Sequence, residues 1–406
     1  LGVRRSKYHV PWNAAMFLVA MVGYFFGYGH HMFGEEHYGW KWNISAHGAM
    51  ANLLLLLLFV QIGMGVYRRM TKGKPRMQVK WLPGSVAQKV HSYLGKAHLV
   101  LAYLQMILGC IRLIEACPGQ AFGQCISHIV MGGSFWWYGG IYIAYLVGSF
   151  PGVSRPEWYE SVVMTVWGVI NFSILHQWGT RWSHADLQHT SLGLLWVGGG
   201  MLSLVLESKF NPLAQFIIRK NPIPALLIIL TGYAMGQHAQ YYKFATSVHT
   251  FFGYSLMLGG VCRLIQLALR PAVSPMESSA SRNSNDNLPG LANGETPVSA
   301  FFGFLSSIGL VSAGLLFQSA HEEQLNMTMY YLSDASTYIN WIMAFAFFSV
   351  TYMLVLTQVG KKRIGSVDSG AGKAYNRVRT RVDSEDRGRV LSQEDIELSG
   401  FMEADE

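Results

Sequence analysis

The stretch VHSYLGKAHLVLAYLQMILGCIRLI, Val90 to Ile114, carries no charged residue between His98 and Cys110 and is long enough to cross a bilayer as a helix. A second segment, VHTFFGYSLMLGGVCRLI, Val248 to Ile265, repeats it. With His98 laid on His249 the two align without a gap and share Tyr103/Tyr254, Met106/Met257, Gly109/Gly260, Arg112/Arg263, Leu113/Leu264 and Ile114/Ile265. Each copy is an apolar run with a histidine near one end and an arginine at the other. A chain that writes this unit twice reads as a protein built of membrane helices.

Composition agrees. Of the 406 residues 51% are hydrophobic and only 13% charged, too few charges for the surface of a soluble globule of this size. Apolar runs of about 20 residues mark spanning helices. Ten candidates lie near 12–33, 47–67, 91–114, 129–150, 158–178, 188–206, 222–241, 246–269, 299–319 and 337–359. The fold class that follows is an all-α polytopic membrane bundle of about ten transmembrane helices. A membrane barrel would need short alternating segments, which the sequence lacks.

Lys and Arg set the expected orientation. Arg68, Arg69, Lys72, Lys74, Arg76, Lys80 and Lys89 crowd the connection between the second and third spans, where no acid occurs. Arg155, Lys209, Arg219, Lys220, Arg270 and the KKR at 361–363 fall on the same side if all ten spans cross, which places the basic loops, the linker and the tail in the cytosol. The formal net charge of +8 is then a matter of topology and implies no nucleic-acid partner. The sequons at Asn43 and Asn326 fall on the opposite face, which implies a secretory, endomembrane or plasma-membrane location. Cys117 and Cys125, in CPGQAFGQC, share a short loop on that face and are a disulfide candidate, with two free thiols as the alternative.

The chain divides into six parts. Residues 1–36 read as a signal or first membrane helix with a His-rich exit. The length of its apolar run, about 21 residues, favours a retained helix, and a chain opening on Leu1 is expected to lack its true start. Residues 37–120 form a two-helix module, 121–270 a multi-helix membrane module and 299–360 two last membrane helices. The linker 271–298, rich in Ser, Asn, Pro and Gly, and the tail 361–406 read as disordered.

Most of the fourteen histidines fall at one predicted depth. A histidine is costly in lipid unless paired or ligated, so the crowd is a functional hint. A b-type haem on two imidazoles needs histidines at the same depth on neighbouring helices, with small residues beside them. His189 and His249 satisfy this pattern, with Gly193, Gly198, Gly199, Gly200, Gly253, Gly259 and Gly260 expected to leave room; His47 is an alternative partner. Interfacial histidines bonded to backbone, and glycines serving helix contact, are the plainer alternative.

AHGAM at 46–50, HSYLGKAHLVLAYLQMILG at 91–109 and HTFFGYSLMLGG at 249–260 resemble helices of the two-haem, ascorbate-reducible transmembrane cytochrome b family. The overall layout of residues 30–360 is similar to the fungal YTP-like multipass membrane proteins. The resemblance implies haem b, electron transport with a small-molecule donor or redox partner protein, and ligand positions at His47, His91 and His249. The short loop 68–89 places His47 and His91 at opposite faces, so they are not expected to share one haem; His91 and His98 lie two turns apart on one helix.

Two other readings stand beside this one. His30, His31, Glu35, Glu36 and His37, in HHMFGEEH, have the composition of a zinc, copper or iron(II) site without a standard spacing. No acid is expected in the interior of a helix, which argues against proton-coupled cation transport. The remaining alternative is a membrane scaffold. Hydrolase, transferase, phosphate-loop and dinucleotide motifs are missing from the sequence.

Overall fold

The computed structural model describes residues 9–358, apart from 39–44, 209–219, 272–290, short stretches of the other connections and the side chains of 30–38. Eleven helices are described: α1 His9–Tyr38, α2 Ala46–Thr71, α3 Gly84–Leu113, α4 Phe122–Leu146, α5 Pro156–Ile174, α6 His184–Leu206, α7 Ile223–Gly236, α8 Lys243–Leu269, α9 Pro297–Gln318, the short α10 Glu322–Tyr331 and α11 Ala335–Gln358. The ten expected spans all appear as helices, and among the described residues the fold is all-helical. Seven of them are long and apolar enough to cross a membrane by length and composition. α7 is shorter than the expected 222–241: Ile223 N donates to Asn221 Oδ1 just ahead of it, and the helix ends at Gly236 with Gln237 as its C-cap.

Side-chain burial divides the helices into two kinds. Within α8 and α9, 56% and 67% of the apolar window is buried; within α1 and α2 none is. Leu56, Phe26 and Leu99 stand 61%, 76% and 70% exposed on otherwise apolar surfaces. Only lipid makes such surfaces inexpensive.

Chain order alternates helix direction. α9 lies between α4 and α8, α7 packs on α8, and α5 packs on α6. Glycines permit these close approaches. A Cβ on Gly314 would lie 2.6 Å from Gly132 O, one on Gly309 2.8 Å from Gly259 Cα, one on Gly232 2.7 Å from Gly253 O, and one on Gly193 2.8 Å from Phe172 N. The core between these crossings is filled by Phe135, Trp196, Phe252, Leu256 and Phe317.

α2 and α3 form a hairpin that reveals a second internal repeat, passed over by the alignment of His98 on His249. His47, Gln61, Gly65 and Arg68 in α2 recur with the same spacing as His91, Gln105, Gly109 and Arg112 in α3. The geometry is reciprocal: a Cβ on Gly65 would meet His91 Cε1 at 3.0 Å, and one on Gly109 would meet His47 Cε1 at 3.0 Å. Each histidine therefore closes the far end of the partner helix.

Candidate functional site

Alternating helices bring the N-termini of α2, α4, α6 and α8 to one end of the molecule, and the N-termini of α5, α7 and α9 to the other. The first end gathers imidazoles; the second gathers guanidinium groups and carboxylates.

At the imidazole end, α4, α6 and α8 each contribute one histidine. The His128 ring centroid lies 6.4 Å from that of His189 and 6.1 Å from that of His249. His189 and His249 are buried, and His128 is half-buried against the ring of Phe317, 4.5 Å away. His249 Nδ1 lies 2.9 Å from Ala245 O. A carbonyl only accepts, so this nitrogen carries the proton and Nε2 is the basic one. Ligating imidazoles are commonly oriented by such a bond.

One turn outward on α4, Cys125 sits beside the segment that joins α9 to α10. Ligand atoms of Cys125, His321 and Glu323 all lie within 4.8 Å of one another, and the first two residues are buried. His321 Nδ1 is 3.2 Å from Glu323 Oε2. Burial pushes the His321 imidazole below its ordinary range, against the opposing pull of Glu323. Cys125 is joined to Cys117 by a disulfide, so its sulfur is not a thiolate in this state.

At the opposite end lies a buried ionic network. Arg263 donates to Glu157 at 2.6 Å and to Glu160 at 3.0 Å; Arg270 donates to Glu157 at 2.5 Å and Glu295 at 2.7 Å. Tyr142 joins through Gln266 at 2.9 Å and through Arg263, and Tyr138 donates to Glu160. A neighbouring cluster links Ser161, Ser203, Asn221 and Glu207. Acids were not expected in the interior of a helix; Glu157, buried, and Glu160, partly buried, lie in the first turns of α5. They are tolerated because two arginines from α8 compensate them.

The glycines expected to make room for haem do something else. Gly193 faces Phe172 N at 2.8 Å, Gly199 faces the Leu227 side chain, Gly200 faces Thr165 N at 2.9 Å, Gly253 faces Gly236 Cα at 2.8 Å, Gly259 faces Ser306 O at 3.3 Å and Gly260 faces Ala225 O at 2.9 Å, measured from where a Cβ would stand. Only Gly198, of the seven, has open space beside it. Six of the seven therefore serve close contact with a neighbouring helix. His128, which the pairing of His189 with His249 left out, lies next to both; its position three residues after Cys125 on α4 was the available signal.

The other named residues are dispersed. His47 lies at the imidazole end against Gly109, with Gln105 Nε2 3.5 Å from its Nε2. His91 lies at the opposite end of the hairpin, its ring 6.1 Å from that of His9, a neighbour the sequence reading did not find. His98 holds Leu94 O through Nδ1 at 2.8 Å, and its Nε2 is buried without a hydrogen-bond partner. Asn326 is exposed on α10. The side chains of His30, His31, Glu35, Glu36 and His37 lie outside the described residues, as do Asn43, most of the 271–298 linker and the tail.

Two stretches of the chain match known families. Residues 101–361 match the family described as Protein YTP1-like, C-terminal, and residues 1–71 match a domain of unknown function (DUF2427). Protein YTP1 of Saccharomyces cerevisiae is 32% identical over 270 residues, covering 65% of this chain and 53% of that protein. Uncharacterized membrane protein YCR061W of the same yeast is 28% identical over 196 residues, 44% of this chain and 28% of that one. Uncharacterized membrane protein C3B8.06 of Schizosaccharomyces pombe is 25% identical over 246 residues, 48% and 47% of the two chains. The chain thus spans about half the length, or less, of the curated relatives it matches. No solved structure matches it.

Proposed function

The chain belongs to the family of YTP1-like proteins, and from that premise we propose that this integral membrane protein binds a divalent transition-metal ion at its imidazole end. The observation that carries the proposal is the meeting of His128, His189 and His249 from three separate helices, with ring centroids 6.1 and 6.4 Å apart. Imidazole nitrogen suits zinc, copper, nickel and iron(II). Imidazole nitrogens from three helices gathered in a bundle core are lone-pair donors of the kind such an ion takes.

The basic connection 68–89 and the sequon at Asn326 support a non-cytosolic placement of this end. An ion would then be held, or received, on the lumenal or extracellular side. Haem b, and with it electron transport across the membrane, is the competing use of His189 and His249. His128, which stands beside both rings, adds a third imidazole that bis-histidine haem does not use and favours the bare ion.

The test is a cobalt(II) and zinc(II) titration of detergent-purified protein lacking any polyhistidine tag, under non-reducing conditions, with haem measured by its visible spectrum on the same sample. Wild type should take up about one ion with the absorption of imidazole-bound cobalt, and the His189→Ala/His249→Ala double variant should lose it. Equal uptake by both proteins overturns the proposal; a stoichiometric b-type spectrum returns the site to haem.

A further inference from the structure

The starts of α4 and α10 carry a second set of donors at the imidazole end, and the state of that set depends on a disulfide. Cys125, His321 and Glu323 offer one ligand atom each within 4.8 Å of the others, a soft sulfur, an imidazole and a carboxylate in a mostly buried corner. They come from two segments far apart in sequence, the start of α4 and the start of α10, which close packing of α9 on α4 brings together. Cys125 and His128 are three residues apart on α4, about 4.5 Å along the axis. The second donor set therefore sits one turn outward of the three-histidine cluster.

We propose that Cys125, His321 and Glu323 form a second site for a zinc-class divalent ion, assembled only when the Cys117–Cys125 disulfide is reduced. This rests on no property of the three-histidine site, and deepens the metal reading by making uptake depend on the thiol environment. As a disulfide, Cys125 lacks the charge and the lone-pair basicity of a thiolate, and two donors hold an ion weakly. Reduction by a small thiol or a protein dithiol changes the donor set. A thiolate attacks Cys117 Sγ, the bond between the two Sγ atoms breaks, and its electron pair leaves on Cys125 Sγ. A second thiolate resolves the mixed disulfide at Cys117, so two thiols are oxidised to one disulfide while two cysteines are reduced. Attack at Cys117 Sγ releases the thiolate on Cys125, next to His321. The Cys125 thiolate then binds the ion, giving one sulfur, one nitrogen and one carboxylate oxygen, with a fourth position for water.

A cobalt(II) titration followed in the near ultraviolet separates this site from the first, because only thiolate ligation gives intense sulfur-to-cobalt charge transfer. Wild-type protein in non-thiol reductant should gain one further ion and that band, with no band before reduction. Cys117→Ser, which leaves Cys125 as a thiol, should show the band without reductant; Cys117→Ser/His321→Ala should bind at least tenfold more weakly. His189→Ala/His249→Ala should keep the band on reduction even where it loses the other ion, so failure of the first site is distinguishable from failure of the second. A reduced wild type with no charge-transfer band, or a band that survives Cys125→Ser, overturns the proposal.

Discussion

The two ends of the bundle hold buried polar groups by opposite means. At one end, Arg263 and Arg270 face Glu157, Glu160 and Glu295, so each charge is answered by another within 3.0 Å. At the other end, His128, His189 and His249 bring together three groups of the same kind, all bases. The first arrangement is complete as it stands and ties α5, α8 and the entry to α9 together. The second gathers rings of one kind from three helices, and the ion proposed above is what would join them. The two lie on the same helix: His249 and Arg263 are 14 residues apart on α8, about 21 Å along its axis.

If the arginine end is the structural clasp, it should give the larger stability effect. Arg263→Met removes a cation that is 7% exposed, takes from Glu160, 8% exposed, its arginine and leaves Glu157, 1% exposed, with Arg270 alone. Breaking a buried pair from one side costs about 3–5 kcal/mol. Thermal unfolding in detergent should show this loss, with metal uptake by the folded fraction unchanged. Arg263→Met/Glu160→Gln, which removes the stranded charge too, should recover most of it. An Arg263→Met protein as stable as wild type would remove the distinction between the ends.

The imidazole end should answer in reverse. His249→Ala takes away a ring held by Ala245 O and should cost stability of about 1 kcal/mol, a typical single-site effect. It should weaken ion binding at least tenfold, measured by equilibrium dialysis of the tag-free protein. A variant that unfolds as readily as Arg263→Met, with binding intact, would make the histidines structural and sharpen the comparison into two clasps.

Much of this was legible beforehand, for an identifiable physical reason. Helix number and order follow from apolar runs such as 91–109, because a bilayer demands length and continuity from each span. The crowding of histidines at one end follows from chain alternation. Pairing was not legible. Glu157 looks like an interfacial acid until Arg263, 106 residues away, is seen beside it. Glycines were misread for a related cause: the same residue type opens space or removes it, according to which helix lies opposite, and Gly253 faces α7 at Gly236. The repeat of His47, Gln61, Gly65 and Arg68 in α3 was present in the sequence and became meaningful only when each histidine was found against the other copy's glycine.

The smallest effect should come from an exposed charge that belongs to neither arrangement. Asp334 precedes α11, accepts from Thr337 N at 2.8 Å and Thr337 Oγ1 at 2.7 Å, and also accepts from Ser336 Oγ. These hydrogen bonds, led by Ser336, hold its carboxyl down at about 2. A carboxyl whose folded value is lowered stabilises the fold above its ordinary value near 4. That contribution is lost as pH falls from there through about 2. Asp334→Ala should therefore lower the unfolding temperature slightly at neutral pH, and the gap from wild type should close only in strong acid. Because no buried charge is stranded, ion uptake should not change and the loss should stay far below that of Arg263→Met. A loss approaching that of Arg263→Met would mean that stability at the imidazole end rests on its exposed cap, and the contrast between a clasped end and an open one would fail.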